Sequence, residues 1–142
     1  MRTMRSQTTE LARKAFVWGT WVVGAAVLIQ FLLAGLGVFA DAGFFFWHAV
    51  VNASVIFLLP VLLVLIGWIG GVPGRLLWLA AAISGLTVLQ SLLLAPYHMA
   101  VEGPWRAISG LHVLNALFLF WVMLQLVERT REWREGAPAA DA

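Results

Sequence analysis

The chain has 142 residues, 62% of them hydrophobic and 11% charged, with a formal net charge of +2 and no cysteine. Soluble domains carry about 25% charged residues, a fold this small leaves too much surface wet to hide so much apolar side chain, and disorder needs more charge and fewer aromatics. Without cysteine there is no disulfide frame, zinc–thiolate site or thiol nucleophile, which leaves an integral membrane protein whose basic residues mark topology rather than nucleic-acid binding.

The first uncharged run covers residues 15–40, between Lys14 and Asp41, and exceeds the roughly 20 residues that cross a bilayer. Ala40-Asp41-Ala42 resembles a signal-peptide cleavage site, but the apolar core of a signal peptide is only about 7–15 residues. The run is therefore read as a retained first helix. The second run, 42–74, contains Pro60, expected to kink its helix, and ends in the turn signal Gly70-Gly71-Val72-Pro73-Gly74. Its span is placed at 44–69 and the third, after Arg75, at 76–97. Pro104 suits a first helical turn, where a missing N–H costs nothing, and starts a fourth span at 104–128.

The expected organisation is an N-terminal tail, 1–14, a transmembrane domain, 15–128, and a C-terminal tail, 129–142. The mixed-sign stretch after Glu128 is expected to prolong the fourth helix as a solvated end and to fray at Gly136-Ala137-Pro138. Short connections imply antiparallel neighbours. Eight of the nine basic residues (Arg2, Arg5, Arg13, Lys14, Arg75, Arg129, Arg131 and Arg134) fall in the two tails and the middle loop, against Arg106 alone in the other two loops. By the positive-inside rule both termini face the cytoplasm. Trp18, Trp68 and Trp78 then lie near the inner interface, and Phe44 to Trp47 and Trp105 near the outer one.

The chain repeats itself. Trp18 aligns with Trp78, and Gln30 with Gln90, inside Val27-Leu28-Ile29-Gln30-Phe31-Leu32-Leu33 and Thr87-Val88-Leu89-Gln90-Ser91-Leu92-Leu93. The second and fourth spans carry His48, Asn52 and Phe57 in one copy and His112, Asn115 and Phe120 in the other. The histidine–asparagine spacing is four or three, and either puts both side chains on one helix face. The expected fold class is thus an all-α membrane protein, a four-transmembrane-helix antiparallel bundle built from a tandem repeat of helix pairs. Binding sites tend to form at such repeat interfaces.

At about 1.5 Å per residue, His48 lies roughly 10 Å past Asp41 and His112 roughly 12 Å past Pro104. Gln30, His48, Asn52, Gln90, His112 and Asn115 therefore form one polar layer in the outer half of an otherwise apolar bundle. Polar side chains inside a membrane are costly and are associated with function. Two facing histidines in an apolar slot suit haem b, with His48 and His112 as axial ligands of the iron. Gln30, Gln90, Asn52 and Asn115 would be partners or pocket residues, and Gly35, Ala53, Gly110 and Ala116 would make room for the ring. Arg106 would face the propionates. Two ligands leave no open iron position, favouring electron transfer or haem handling over oxygen activation.

Two alternatives use the same layer. In one it is packing glue, since His and Asn also hydrogen-bond between membrane helices, and the bundle is a non-enzymatic structural subunit of a membrane complex with a protein or redox partner. In the other the cavity binds a small molecule or quinone without metal. His98, in Tyr97-His98-Met99, is read as a loop histidine. Only its joining His48 and His112 would make a copper or zinc site. Thr87, Ser84, Ser54 and Ser91 are expected to bond to their own helix backbone. No pair of membrane carboxylates suggests a proton relay, and there is no phosphate loop, zinc-protease motif or serine-nucleophile motif.

The chain resembles a family of small, uncharacterised bacterial four-span membrane proteins over most of residues 27–120. The residues that carry this are Leu28-Ile29-Gln30-Phe31-Leu32-Leu33-Ala34-Gly35-Leu36-Gly37-Val38-Phe39, His48, Val88-Leu89-Gln90 and Leu111-His112-Val113-Leu114-Asn115-Ala116. The resemblance implies a bacterial cytoplasmic membrane and no particular activity. More distantly the pattern is similar to one four-helix half of haem A synthase, where a helix carrying Gln and then Gly precedes one that begins with a haem-ligating His. That resemblance implies axial-ligand roles for His48 and His112. The catalytic half of that enzyme has Glu three residues before one His and a basic residue just after it. Here those places hold Phe45 and Ala49 around His48, and Ser109 and Val113 around His112, which argues against hydroxylase-type chemistry.

Overall fold

The computed structural model describes residues 2–136, and of residues 2, 3 and 5 the backbone alone. Its elements are α1 (Arg2–Phe39), α2 (Phe44–Val51), a π-helical stretch (Asn52–Phe57), α3 (Leu58–Gly70), α4 (Gly74–Leu93), the single turn α5 (Ala95–His98), a 3-10 helix (Gly103–Gly110) and α6 (Leu111–Glu135). Among the described residues there is no strand. Four helical segments are long and apolar enough to cross a membrane: Ser6–Phe39, Phe44–Gly70, Gly74–His98 and Gly103–Glu135. The chain is a multi-pass, four-helix membrane bundle.

Burial follows the membrane solvent. The contact between helices is a core of Phe16, Val23, Val27, Ile56, Leu63, Leu76, Ile83 and Leu126. Outside it, large apolar side chains are left bare, Trp18 at 70% exposure and Trp68 and Trp78 at 77%. In water that surface would be a large apolar liability. Against lipid tails it costs nothing, so the helices meet through close packing and a few polar contacts instead.

Glycine allows the closest approach. A Cβ on Gly67 would strike the side chains of Phe16 and Leu77, so glycine here lets α1 and α4 pack these side chains directly against the α3 backbone. The chain then reverses at Gly71, whose φ of 65° lies in the left-handed region that glycine adopts without strain. The Gly71 N–H donates to the Trp68 carbonyl and the Val72 N–H to the Gly67 carbonyl, the pair of bonds that closes a Schellman C-terminus. Arg13 Nε donates to the remaining Gly70 carbonyl at 2.8 Å, tying α1 to the same helix end.

Three local features depart from the sequence expectations. Pro60 does not simply kink a regular helix, because the ladder widens into the π-helical stretch just before it. Proline supplies no N–H and crowds the carbonyl four residues earlier, and a wider turn relieves both problems. Ser84 bonds not to its own helix but across to the Phe57 carbonyl at 2.8 Å, at the end of the π-helical stretch. Thr87, Ser91 and Ser54 do bond back to their own helices, at Ile83, Thr87 and Val50. The segment from Pro104 begins as a 3-10 helix and becomes α-helical only at Leu111. Past Glu128, α6 continues to Glu135; the fraying expected at Ala137 and Pro138 lies outside the described residues.

Candidate functional site

Four helical segments bring polar side chains to one level. α1 carries Gln30, α2 carries His48 and leads into Asn52, α4 carries Gln90, and α6 carries His112 and Asn115. Gln30, Gln90 and Asn115 are buried, at 8%, 7% and 8% exposure. Five of these six residues, all but Asn115, line a single cavity of about 190 Å³. The rest of its wall is apolar: Val27, Phe31, Ala34, Ile56, Val113, Ala116, Leu117 and Leu119, with no charged side chain. Phe31, Val113 and Leu117 are also exposed, so the cavity opens sideways, toward the bundle surface that lipid would cover.

The histidines are held alike. His48 Nδ1 lies 3.2 Å from the Gln30 carbonyl, and His112 Nδ1 lies 3.1 Å from the Gln90 carbonyl. A carbonyl only accepts, so Nδ1 must carry the proton in each ring. A helical carbonyl has a second lone pair for this after its own ladder bond. With Nδ1 so engaged, a neutral imidazole keeps its free lone pair on Nε2, the nitrogen a metal would take.

The amides around them are not alike. Asn115 Nδ2 donates to the Leu86 carbonyl at 2.9 Å and also to Gln90 Oε1. Gln30 Oε1 is buried with no partner. The spacing accounts for the difference. At about 100° per residue, a side chain three on from a histidine lies about 60° short of a full turn, and one four on lies about 40° past it. Asn115, at three, reaches Gln90. Asn52, at four and at the start of the π-helical stretch, does not take the equivalent place beside Gln30.

The apolar slot was expected from the sequence, but apart from Ala116 the residues of its wall were not named, although their signal is there. Val27, Gln30, Phe31 and Ala34 follow an i, i+3, i+4, i+7 pattern, His48, Asn52 and Ile56 an i, i+4, i+8 pattern, and His112, Ala116 and Leu119 an i, i+4, i+7 pattern, each marking one helix face. Of the small residues expected to make room, Ala116 lines the cavity, whereas Gly35, Ala53 and Gly110 do not. Arg106 is exposed, its guanidinium 5.2 Å from the centre of the Tyr97 ring. His98 ends α5, exposed, its ring edge-on to Tyr97 at 5.5 Å. Among the described residues no three His, Asp or Glu side chains come together.

No curated protein and no solved structure matches the chain. Residues 30–96, the stretch that carries Gln30, His48, Asn52 and Gln90 but neither His112 nor Asn115, are similar to a family of unknown function, DUF6220.

Proposed function

We propose that the protein is a small membrane haem b-binding protein, cytochrome b-like, in which His48 and His112 would hold the iron. One observation carries the reading: both histidines line one apolar cavity, and in both the ring is fixed by an Nδ1–H bond to the carbonyl of a glutamine on the preceding span. Metal-ligating histidines almost always donate their other N–H in this way, which sets the tautomer and the ring orientation.

The donor set and the surroundings fit the group. Imidazole suits iron, the wall is apolar, and no carboxylate competes for the metal. A haem exceeds the enclosed volume, so its outer edge would lie in the open side between Phe31, Val113 and Leu117. When bound it would supply a one-electron couple, and two imidazole ligands leave no position for oxygen. The chain's own residues would do the rest. Gln30 and Gln90 orient the rings through their main chains, Asn115 holds Gln90, and Asn52 forms part of the pocket wall. Arg106 is the one basic residue on the side where the propionates would emerge.

The larger frame belongs to the same reading: two antiparallel helix pairs in tandem repeat, set in a bacterial cytoplasmic membrane with both termini inside. The matching histidine bonds support the repeat. The count of basic residues supports the orientation, and the distant similarity to half of haem A synthase supports the ligand roles. The test is a reduced-minus-oxidised absorption spectrum of the protein purified in mild detergent after expression with haem supplied. A b-type signal is expected, and a folded protein without haem would refute the reading.

A further inference from the structure

The second and fourth spans carry one polar pattern with one residue of difference. His48-Ala49-Val50-Val51-Asn52-Ala53 stands against His112-Val113-Leu114-Asn115-Ala116, which makes Ala49 the extra residue. The π-helical stretch Asn52–Phe57 follows at once. A π turn takes one residue more per hydrogen bond than an α turn, so it absorbs the insertion. His48 and Ile56, eight apart, then line the cavity as His112 and Leu119 do seven apart.

The asparagine pays for this register. Asn115 donates to the Leu86 carbonyl and to Gln90 Oε1, which pins α6 to α4 beside His112. Next to His48, Gln30 Oε1 is buried with no partner, and α2, eight residues long, has no buried residue. A buried acceptor left unpaired weighs against the arrangement that strands it, and π turns inside α-helices are frequent at functional sites.

We propose that His48 is the releasable ligand of the haem site and His112 the fixed one, and that the iron position His48 vacates takes a small neutral molecule of the carbon monoxide kind. The inference rests on the haem reading and adds the class of ligand that the site takes. On release, His48 Nε2 keeps its lone pair, the proton stays at Nδ1, and no electron moves. α2 shifts without breaking an amide pair, whereas release of His112 would disturb the bonds of Asn115. The incoming molecule has to be uncharged, because the cavity wall carries no charged side chain and opens sideways at Phe31, Val113 and Leu117, and an unpaired charge in such a wall is costly.

The test uses the full chain in lipid nanodiscs. Amide hydrogen exchange of the haem-free protein comes first. Residues 49–57 should exchange about tenfold or more faster than residues 113–120. Deletion of the exposed Ala49, which gives the second span the spacing of the fourth, should remove the difference. The haem-loaded ferrous protein is then mixed with carbon monoxide. Binding should level off at a limiting rate set by His48 release, and the deletion should lower that limit about tenfold or more. Equal exchange in the two wild-type segments, no carbon monoxide binding by the loaded protein, or a limit that the deletion leaves unchanged would each overturn the proposal. If the deletion variant loses helicity, exchange and carbon monoxide binding of the wild-type protein decide. A protein that takes up no haem refutes the haem reading itself, an outcome distinct from a loaded protein that stays closed to carbon monoxide.

Discussion

His112 is held by the main chain of Gln90: its Nδ1 lies 3.1 Å from the Gln90 carbonyl, on the neighbouring membrane helix. This bond fixes which ring nitrogen faces the cavity without using a side chain as the acceptor. His48 is held in the same manner by Gln30. The consequence is a site whose ligand orientation should survive many side-chain changes but not the loss of either imidazole.

His48→Ala and His112→Ala should each abolish the six-coordinate haem spectrum while the helical circular dichroism stays unchanged. Loss of a group that holds a ligating histidine in place typically costs a metal site about 10–100-fold in affinity, and removing the ligand itself should cost more. A haem titration of each variant checks this, and retention of the wild-type spectrum by either variant would exclude that residue as a ligand.

Asn115 and Asn52 should differ in what they do for stability. Asn115→Leu removes two interhelical bonds and strands Gln90 Oε1, so it should destabilise the bundle by about 1–2 kcal/mol, the upper part of the range for hydrogen bonds between membrane helices. Asn52 does not hold the corresponding glutamine, and Asn52→Leu should change stability by less than about 0.5 kcal/mol. Reversible unfolding in mixed micelles measures both. Equal losses would mean that the two halves are closed alike.

The last turn of α3 and the reversal after it give two further substitutions. Gly67→Val would push a branched side chain into Phe16 and Leu77 and should cost about 1–3 kcal/mol, as overpacking does. Gly71→Ala keeps the packing but forces a Cβ into the left-handed region, at about 1–2 kcal/mol. Thermal unfolding of the purified variants reports both.

Because the chain has no cysteine, single introduced thiols report topology cleanly. On the proposed orientation, with both termini inside, Glu102→Cys should react with a membrane-impermeant maleimide on intact cells, and Arg75→Cys should react only after lysis. The reverse pattern would invert the orientation.

Much of this architecture was legible in the sequence because charge is so scarce. The gaps between Lys14 and Asp41, and between Asp41 and Arg75, mark two spans, and Gly70-Gly71-Val72-Pro73-Gly74 marks the turn that the structure closes with a Schellman pair. The polar residues were legible for the same reason, since each stands out against Leu, Val and Phe. The helix limits were not. α1 runs back through Lys14 and Arg13 to Arg2, because a charge marks where a helix leaves the bilayer, not where its backbone ladder stops.

The acceptors of the two histidines were hidden because every residue has a carbonyl, and no letter shows that those of Gln30 and Gln90 face an imidazole. Gln30 and Gln90 also read as equivalent. Only the one-residue difference between Asn52 and Asn115, together with the π-helical stretch before Pro60, separates them.

The most direct test of the central proposal is the low-temperature electron paramagnetic resonance spectrum of the ferric protein loaded with one haem per chain. If His48 and His112 hold one iron between them, the spectrum should be that of low-spin iron with two imidazole ligands, and either alanine variant should convert it to high-spin iron. A high-spin wild-type spectrum, or a low-spin one that persists in both variants, would contradict the assignment.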